Sequence, residues 1–364
     1  MADRTPISRR SLLGRGACLA GLTAVSPVLA ACASSTSSAT TTGKLAGQII
    51  MVNYPGWIGA SEVRNFEHAN PGVAVKQVTE ASGGNAAQAA QIVQNKGAFD
   101  FALAGQSLAT QLHDDGLLAS FNPASVPNLT NMPQQYRGAY PYGIPTDQGK
   151  VGIAYRKDLL PNPPKSWAAL FAMAPSLSGK MVFSDYDVDI MGIALLSLGY
   201  SVNATSSAQL SKAKQVLIAV KPHLKAFLST DLTKPMVQGS AVLTVCYDYD
   251  YASAVSSNSK IGWIEPAEGM PAYIEGWVAL ASSSKLPEVY AFMNYQLSPA
   301  GYAGFINTTA ASYLLPGAES KISKSITGNA ALRFSASANI KYESLLPAST
   351  MELRDQIWQE VMAA

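Results

Sequence analysis

Apolar runs alternate with amphipathic stretches in the first third of the chain, and this alternation predicts strands and helices in turn. Gln48–Tyr54 is a near-continuous apolar run, typical of a strand that is covered on both faces. Val73–Val78 and Phe99–Ala104 predict two further strands. The predicted helices are Ser61–Ala69, Asn85–Lys96 and Ser107–Asp114. Strands that alternate with helices predict a parallel, doubly wound α/β sheet, whose binding sites lie beyond the C-terminal ends of its strands.

The rest of the chain continues the alternation. Gly143–Tyr155 predicts a strand that crosses into a second lobe, and Tyr273–Ala281 predicts a strand that returns. Asn122–Tyr142 is rich in Pro, Asn and Gln and predicts a surface loop. Further predicted strands are Met181–Ser184, Ala241–Cys246 and Ile261–Ile264, and further predicted helices are Trp167–Phe171, an apolar helix that ends at Leu198, Ser207–Val220, Glu288–Leu297, Ala300–Ile306 and Glu352–Val361. Each lobe is therefore expected to be discontinuous, with a ligand site in the cleft between the lobes.

The stretch Ala241–Tyr251 (AVLTVCYDYDY) joins an apolar strand directly to alternating Tyr and Asp. If the extended backbone continues, its three tyrosines lie on one face and its two aspartates on the other. Rings beside carboxylates at the end of a core strand form a cation-binding arrangement. Tyr also favours strands, so the alternation is equally compatible with a half-exposed edge strand.

The first residues have the layout of an export signal: arginines flank an apolar run that is short for a transmembrane helix. Ser8–Leu13 (SRRSLL) resembles the twin-arginine export signal, and Leu29–Cys32 (LAAC) matches the bacterial lipobox, in which the Cys is lipidated. An ordinary Ala-x-Ala-like cleavage site is the alternative. We expect a signal peptide over residues 1–31, lipid anchoring at Cys32, and a flexible Ser/Thr/Ala-rich tether over residues 32–45.

Composition and charge narrow the class of protein. Loss of residues 1–31 removes four arginines and one aspartate and leaves a near-neutral chain, which argues against nucleic acid as a partner. Cys246 is then the one cysteine of the folded part, so we expect no intramolecular disulfide and a small core residue at this position. The remaining roughly 320 residues exceed one usual core, which favours two lobes. We expect a monomer on the outer side of the cytoplasmic membrane or in the periplasm, held there by lipid on Cys32.

Several motifs, in order and at compatible spacing, resemble the type II periplasmic substrate-binding proteins of ABC importers, and specifically their spermidine/putrescine-binding branch. Asn53–Trp57 (NYPGW) is similar to the branch's Asn-aromatic-x-x-aromatic motif, and Lys165–Leu170 (KSWAAL) to its Ser-Trp-x-x-Leu segment. Ser184–Ser201 resembles its acidic turn, helix and Leu-Gly-Tyr ending. Ala241–Tyr247 is similar to a strand that ends in a site aromatic, and Tyr273–Glu275 to an aromatic-x-acid pair.

The resemblance implies an α/β fold of two lobes, each a doubly wound mixed sheet, joined by a hinge of crossing strands. We expect lobe 1 to comprise residues 46–150 and 276–316, and lobe 2 to comprise residues 151–275 and 317–364. The resemblance further implies that a polyamine is captured in the cleft and delivered to an ABC permease. The ligand-binding residues that it implies are Tyr54, Trp57, Asp185, Asp189, Tyr247, Tyr273 and Glu275. The acidic residues before the helix are also compatible with a capping role alone.

Three departures from the branch leave the ligand open. Pro145–Lys150 (PTDQGK) stands where the branch usually carries Pro-Tyr-x-Trp-Gly-Thr, so an aromatic pair is lost and Lys150 appears. A lysine that faces the cleft would repel a cation or bind a ligand carboxylate. Gly105–Ser107 replaces the branch's Ser-x-Tyr, and Tyr313 is the candidate for its late site tyrosine. The alternative ligands are an amino acid, an opine or a guanidino compound, or ferric iron held by tyrosinates.

Sequence signatures of enzymes do not occur in the chain. It contains no G-x-S-x-G elbow, no H-E-x-x-H, no G-x-x-x-x-G-K-[ST] loop and no Cys/His metal spacing. Its three histidines, His68, His113 and His223, are scattered along the sequence and are expected to be polar surface residues. We therefore expect no catalytic residue, no cofactor and no His/Cys metal site.

Overall fold

The computed structural model describes residues 44–79, 84–334 and 338–364. Residues 44–364 belong to one compact unit. The predicted signal peptide, the twin-arginine motif and Cys32 lie outside the described residues.

The strands of the described chain join into one mixed sheet. In chain order they are β1 (Gly47–Asn53), β2 (Val73–Thr79), β3 (Phe101–Gly105), β4 (Ile144–Arg156), β5 (Met181–Ser184), β6 (Leu224–Leu228), β7 (Leu243–Tyr247), β8 (Ile261–Ile264), β9 (Met270–Ala279), β10 (Ser312–Tyr313) and β11 (Ile340–Tyr342). Their order across the sheet is β2-β1-β3-β9-β4-β7-β5-β6, with β8 and β10 paired to β4 and β11 paired to β9.

Helices cover the sheet. They are α1 (Ala60–Ala69), α2 (Gly84–Gln94), α3 (Gln106–Asp114), α4 (Gln134–Ala139), α5 (Trp167–Met173), α6 (Asp187–Ser197), α7 (Ser207–Val220), α8 (Lys234–Val237), α9 (Asp248–Ser257), α10 (Leu286–Gln296), α11 (Pro299–Thr309), α12 (Lys324–Thr327) and α13 (Ala348–Ala363). Short 3₁₀ turns occupy Pro123–Ser125, Pro127–Asn131, Ala174–Leu177, Lys221–His223 and Ala330–Leu332.

Two long strands, β4 and β9, link the halves of the sheet. On one side β1 pairs in parallel with β2 and β3, and on the other side β5 pairs in parallel with β6 and β7. β4 and β9 pair antiparallel with each other over Ile144–Lys150 of β4. The rest of β4, from Val151 onward, pairs with β7 and β8. The same strand therefore leaves one parallel group and enters the other between Lys150 and Val151.

The apolar core is divided in the same way. One cluster of buried side chains surrounds the β1–β3 side and contains Phe101, Trp277 and Phe292. A second cluster lies between β5, β7 and helices α5, α6 and α7, and a third, smaller cluster contains Cys246. Cys246 is a buried free cysteine, as its apolar context predicts.

The assignment of residues to lobes stays a proposal, and the core clusters bear on one of its boundaries. The sequence-based proposal returns the chain to lobe 2 at residue 317. Ala318, Ile322, Ile326 and Leu332, however, are buried in the cluster of the β1–β3 side. This packing favours a return to lobe 2 after Leu332.

Most predicted elements are present, and the differences have physical causes. The prediction of a plain surface loop over Asn122–Tyr142 is wrong, because α4 and two 3₁₀ turns lie there and bury Leu129, Met132 and Tyr140. Strand β6 was not predicted, since none of its side chains is fully buried and its apolar pattern is weak. α13 begins four residues before its predicted start, directly after Pro347, a residue that suits the entry to a helix.

Candidate ligand-binding cleft

The stretch that follows β7 turns into a helix, so the expected alternation of Tyr and Asp along an extended strand is wrong. β7 ends at Tyr247 and α9 begins at Asp248. The main-chain N–H of Tyr247 donates to Asp250 Oδ2 at 3.2 Å, and two carboxylates in the first turn suit a helix N-terminus. Asp248 and Asp250 directly after a strand were the sequence signal for this helix start.

The helical turn separates the three tyrosines of this stretch. Tyr247 and Tyr249 stack, with ring centroids 5.2 Å apart and an interplanar angle of 12°. Tyr251 points elsewhere and packs at 5.3 Å against Trp263, beside the third core cluster. Tyr249, which was not among the predicted site residues, thereby takes a place next to Tyr247.

Five aromatic rings form a continuous series of contacts that links the two sides of the sheet. Tyr54 and Trp57, after β1, meet edge to face at 6.2 Å. Trp57 meets Tyr249 of α9 at 5.2 Å, and Tyr247 meets Tyr273 of β9 at 5.5 Å, both edge to face. Four of the seven predicted site residues are therefore brought together, and Tyr249 joins them. We name this series the ring wall.

The β4–β9 pair places two acidic residues beside one end of the ring wall. Asp147 lies opposite Glu275 and Gly149 lies opposite Tyr273, so these four residues share one face of the sheet. A Cβ atom on Gly149 would lie 2.5 Å from Tyr273 Oη, so only glycine lets this ring lie across β4. Glu275 is 9% exposed, and its charge adds to burial in raising the pKa of Tyr273 and of Tyr249.

Asp147 and Asp248 are acidic residues that the sequence analysis did not assign to the site. Both are fully buried. Thr146 Oγ1 donates to Asp147 Oδ1 at 2.8 Å, and Ser312 Oγ donates to Asp248 Oδ2 at 2.7 Å. Burial raises the pKa of each carboxyl group to about 7, and the negative charge of Asp248 further raises the pKa of Asp147. Where the branch usually has an aromatic pair, this chain therefore has a buried acid.

A second acidic group lies at the hydroxyl end of Tyr247. Asp189, in the first turn of α6, is 2% exposed, and Tyr247 Oη donates to its Oδ2. Its carboxyl group also contacts that of Glu343, which follows β11. Burial raises the pKa of Asp189 to about 7 and the pKa of Glu343 well above its ordinary value. Glu343 was missed because no local pattern marks it; only the fold brings it to Asp189.

Asp185 has a different environment from Asp189. Its side chain hydrogen-bonds Ser229, just beyond β6, and burial raises the pKa of its carboxyl group. Its main-chain N–H donates to Leu228 O at 3.0 Å. These contacts tie Asp185 to β6 rather than to the ring wall, and its ligand-binding role stays a prediction.

Lys150, whose orientation the sequence left open, is neutralised within the chain. It is adjacent to Gly149 on β4 and therefore lies on the opposite face from Tyr273 and Glu275. It is completely buried, and its Nζ lies 2.5 Å from Glu265 Oε1 and 2.9 Å from Arg333 O. The Phe334 ring lies 4.9 Å from the same ammonium group. Lys150 thus supplies a fixed internal charge rather than an open anion site.

Two clefts elsewhere on the surface lack the chemistry of a cation site. One, of about 310 Å³, is lined by residues that include Leu297 and Pro316. The other, of about 190 Å³, is lined by residues that include Phe121 and Arg137. No carboxylate lines either cleft within the described chain, so we place the candidate site at the ring wall.

Comparison with known proteins identifies the group to which the chain is related. Residues 63–332, more than half of the chain, match the family of bacterial extracellular solute-binding proteins. The chain belongs to this family. Its members bind solutes and are not catalysts, which confirms the expectation that this solute-binding protein is not an enzyme. The family's extracellular description also shows that the chain is exported.

Curated relatives include binding proteins for polyamines. The putrescine/cadaverine-binding protein of Pseudomonas aeruginosa is 23% identical over 87% of this chain and 94% of its own length. The spermidine/putrescine-binding periplasmic protein of Escherichia coli K12 is 22% identical over 56% of this chain and 60% of its own length. These similarities confirm the resemblance inferred from the motifs.

A solved structure shows the fold of the solute-binding protein. A candidate spermidine/putrescine ABC transporter protein from Listeria monocytogenes superposes with a TM-score of 0.78 and 22% identity, over 86% of this chain and 98% of that one. The predicted two-lobed type II periplasmic-binding-protein fold, with mixed sheets and crossing strands, is thereby confirmed. No described helix is long and apolar enough to cross a membrane. The described residues also contain no group of three His, Cys, Asp or Glu that could hold a metal ion.

Proposed function

We propose that this solute-binding protein captures a linear polyamine of the spermidine/putrescine type in the cleft and delivers it to an ABC permease. The observation that carries the proposal is the ring wall with acidic groups at two of its rings: Asp189 and Glu343 at the hydroxyl of Tyr247, and Glu275 beside Tyr273. The polyamine names of the relatives from Pseudomonas aeruginosa and Escherichia coli support the same ligand class.

The chemistry of a polyamine suits this arrangement. Its ammonium groups are separated by methylenes, so it needs carboxylates for the charges and apolar rings for the spacers. A desolvated ammonium over an aromatic face contributes about 0.5–2 kcal/mol to the free energy of binding. A charge-assisted hydrogen bond to a carboxylate contributes about 1.5–3 kcal/mol. The summed binding free energy from two carboxylates and several rings can therefore exceed the ~8 kcal/mol that corresponds to a micromolar Kd. The entropic cost of ordering the ligand and side chains is then subtracted from this sum.

The ligand-binding residues in this proposal extend the predicted set. The methylene segments of the polyamine pack against the five rings of the ring wall, namely Tyr54, Trp57, Tyr247, Tyr249 and Tyr273. Asp189 and Glu275 bind the amines, with Glu343, Asp147 and Asp248 as additional acids. Trp57 and Tyr249 belong to opposite sides of the sheet and touch, so a ligand between them would contact both lobes at once. Such a ligand would favour the closed form, since only that form makes every contact.

The alternative ligands find less support in the geometry. An amino acid or an opine needs an anion partner in the cleft, and Lys150 is already bound to Glu265 on the other face of β4. Ferric iron held by tyrosinates needs phenol oxygens that converge on one ion, whereas the helical turn after Tyr247 directs Tyr251 away to Trp263.

The membrane attachment is a separate part of the proposal. The lipobox at Leu29–Cys32 supports lipidation of Cys32, with residues 32–45 as a tether between the membrane and the binding domain. Replacement Cys32→Ser is expected to move the protein from the membrane fraction to the soluble fraction of exported proteins. Mass spectrometry of the N-terminal peptide would detect the lipid, and an unmodified Cys32 in membrane-bound wild type would contradict this part.

A thermal-shift screen tests the ligand class. Putrescine, spermidine, amino acids and ferric salts are added separately to the purified protein. Because a ligand that binds only the folded state stabilises it by RT ln(1 + [L]/Kd), saturating polyamine is expected to raise Tm by several degrees. Glu275→Gln is expected to abolish most of this shift. A shift with amino acids but with no polyamine would contradict the proposal, as would iron-dependent colour that chelators bleach.

A further inference from the structure

Two buried carboxyl groups from distant parts of the chain touch each other at the end of the ring wall. Asp189 lies on α6, and Glu343 is fixed beside β9 by its main-chain N–H, which donates to Ala272 O at 3.0 Å. The side chains of Asp189 and Glu343 contact one another. Tyr247 Oη already donates to Asp189, whereas Glu343 Oε1 is buried without a hydrogen-bond partner in the described chain.

The groups that face this pair do not neutralise it. Tyr186, directly before α6, and the negative charge of Asp187 face it from that side, Tyr247 faces it from β7, and Tyr249 faces it from α9. From α13 it meets Arg354, whose positive charge lowers the pKa of Glu343 by less than burial and Asp189 raise it. Arg354 Nη2 donates to Val202 O at 2.7 Å and to Ala204 O at 3.0 Å. No ion pair joins Arg354 to either acid among the described residues.

Two carboxylates in contact and away from water cannot both be ionised without a cation between them. Burial raises the pKa of Asp189 to about 7, and the pKa of Glu343 is raised by burial and by the charge of Asp189. The two carboxyl groups therefore share one proton near neutral pH. Their apparent pKa values describe the coupled pair and cannot be assigned to either residue alone.

We propose that the proton shared by Asp189 and Glu343 stands in the place of a ligand ammonium group, and that binding of the amine expels this proton to solvent. The inference rests on the proposed function and adds a proton exchange to it. In the exchange a carboxyl O–H bond breaks, the proton goes to water, and ammonium N–H groups donate to both carboxylates. No electron is transferred, and the total charge inside the site is unchanged when one ammonium replaces one proton.

This exchange makes ligand affinity depend on pH. Amines of this class stay protonated from about pH 6 to about pH 8, so a change in affinity over this range comes from the protein. Release of one proton per ligand weakens binding by up to about tenfold for each pH unit below the titration of the pair. Affinity for putrescine is therefore expected to rise from about pH 6 to about pH 8 and then to level off.

Calorimetric titration with putrescine measures the proton directly when it is repeated at one pH in two buffers that differ in ionisation enthalpy: phosphate and MES at about pH 6, phosphate and Tris at about pH 8. At about pH 6 we expect at least one proton released per ligand, and at about pH 8 far fewer. Glu343→Gln keeps a polar group of the same shape but cannot share an acidic proton, so at about pH 6 it should release about one proton fewer per ligand than wild type. Asp355→Asn is the matched control, since Asp355 is an exposed acid of α13 outside the pair; it should retain the release.

A second titration without ligand separates this inference from the proposed function. Carbon-13 NMR of labelled Asp and Glu side chains should show coupled titration of the assigned Asp189 and Glu343 carboxyl signals in wild type. Glu343→Gln should remove this coupling and leave the titrations of Asp147, Asp248 and Asp250 unchanged. If putrescine fails to bind at every pH, the proposed function is wrong, and this titration still decides whether the proton is shared. Binding at about pH 6 without proton release, or two ionised carboxylates at that pH in the free protein, would overturn the inference.

Discussion

The two faces of the β4–β9 pair differ in whether their buried charges are paired within the chain. On the face that carries Tyr273, Asp147 and Glu275 lie opposite each other. On the other face Lys150 is just as deeply buried, but Glu265 Oε1 lies 2.5 Å away and Arg333 O accepts a second hydrogen bond. One face therefore gathers negative charge beside aromatic rings, and the other matches its charge within the chain.

This contrast distinguishes buried charges that stabilise the fold as ion pairs from buried acids that are proposed to bind a cationic ligand. A buried ion with a good partner is a structural feature, and removal of one partner destabilises the protein. Buried acids without enough cations instead take up protons, as the pKa values of about 7 for Asp147 on the Tyr273 face and for Asp189 at Tyr247 indicate. Groups with strongly raised pKa values cluster at functional sites, which supports a cation site on this face.

The largest expected effect is on binding, from removal of an acid on the ring face. Glu275→Gln should weaken polyamine binding by about 10- to 100-fold, the equivalent of one charge-assisted hydrogen bond. The free protein should lose little stability, because the substitution also removes a buried charge. Glu319→Gln, at an exposed acid, is the control and should leave Kd unchanged. Equal Kd values for Glu275→Gln and wild type by calorimetry would remove Glu275 from the site.

Lys150→Met should give the reverse pattern, with lower stability and retained binding. We expect the free energy of unfolding to fall by about 2 kcal/mol, less than for a fully buried pair because Glu265 is 40% exposed and can be hydrated. Urea unfolding measures the change, and Lys260→Met, at a side chain that is 64% exposed, is the control. A stable Lys150→Met variant that no longer binds ligand would place Lys150 in the binding site instead.

The pattern of the chain predicted the fold better than it predicted the site. The near-continuous apolar runs gave β1 and β3, and α7 has the predicted bounds, because burial alone sets these elements. Tyr54, Trp57, Tyr247 and Tyr273 were predicted as one group through their motifs, and the structure brings them together. Their role in ligand binding stays a prediction.

The rest of the site depends on long-range packing that local patterns do not reveal. Glu343 meets Asp189 across more than one hundred residues of chain, and no spacing rule connects them. Asp147 appeared only as a departure from the family pattern, and its burial follows from the register of β4 with β9. Tyr249 was missed because the motif of the resemblance ends at Tyr247, and its contact with Trp57 depends on the helical turn that begins at Asp248.

Stability of the ligand-free protein should fall as pH rises, because of the acids near the ring wall. Burial raises the folded-state pKa values of Asp147, Asp248 and Asp250 to about 7, above the unfolded value of about 4. The folded state therefore binds more protons than the unfolded state over this interval, and the stabilisation is lost as pH rises through about 7. We expect the free energy of unfolding to be about 1 kcal/mol or more higher at about pH 5.5 than at about pH 8.

Urea unfolding at the two pH values checks this prediction, and the double variant Asp147→Asn with Asp248→Asn should flatten the dependence. Saturating polyamine should reduce the difference in free energy of unfolding between the two pH values, since the ligand stabilises the ionised acids. Higher stability of the free protein at about pH 8 would contradict the assignment of these acids as protonated near neutral pH.

The smallest expected effect concerns the contact between Trp57 and Tyr249. Trp57→Leu removes an aromatic pair worth about 0.5–1.5 kcal/mol, so polyamine affinity should fall by about threefold to tenfold. Tyr249→Phe keeps the ring and its stack on Tyr247, so it should change Kd less than Trp57→Leu does. Fluorescence titration of both variants would test the order, and a larger loss for Tyr249→Phe would show that its hydroxyl, not its ring, contacts the ligand.

The most direct test of the cation site is calorimetric titration of the wild-type protein with putrescine, spermidine and γ-aminobutyrate. Putrescine and γ-aminobutyrate have similar length and share one ammonium group, but the second carries a carboxylate at its other end. The acidic groups at Tyr247 and at Tyr273 predict a Kd for one of the amines at or below about a micromolar and no detectable binding of the amino acid. Tight binding of γ-aminobutyrate with no binding of either amine would contradict the account.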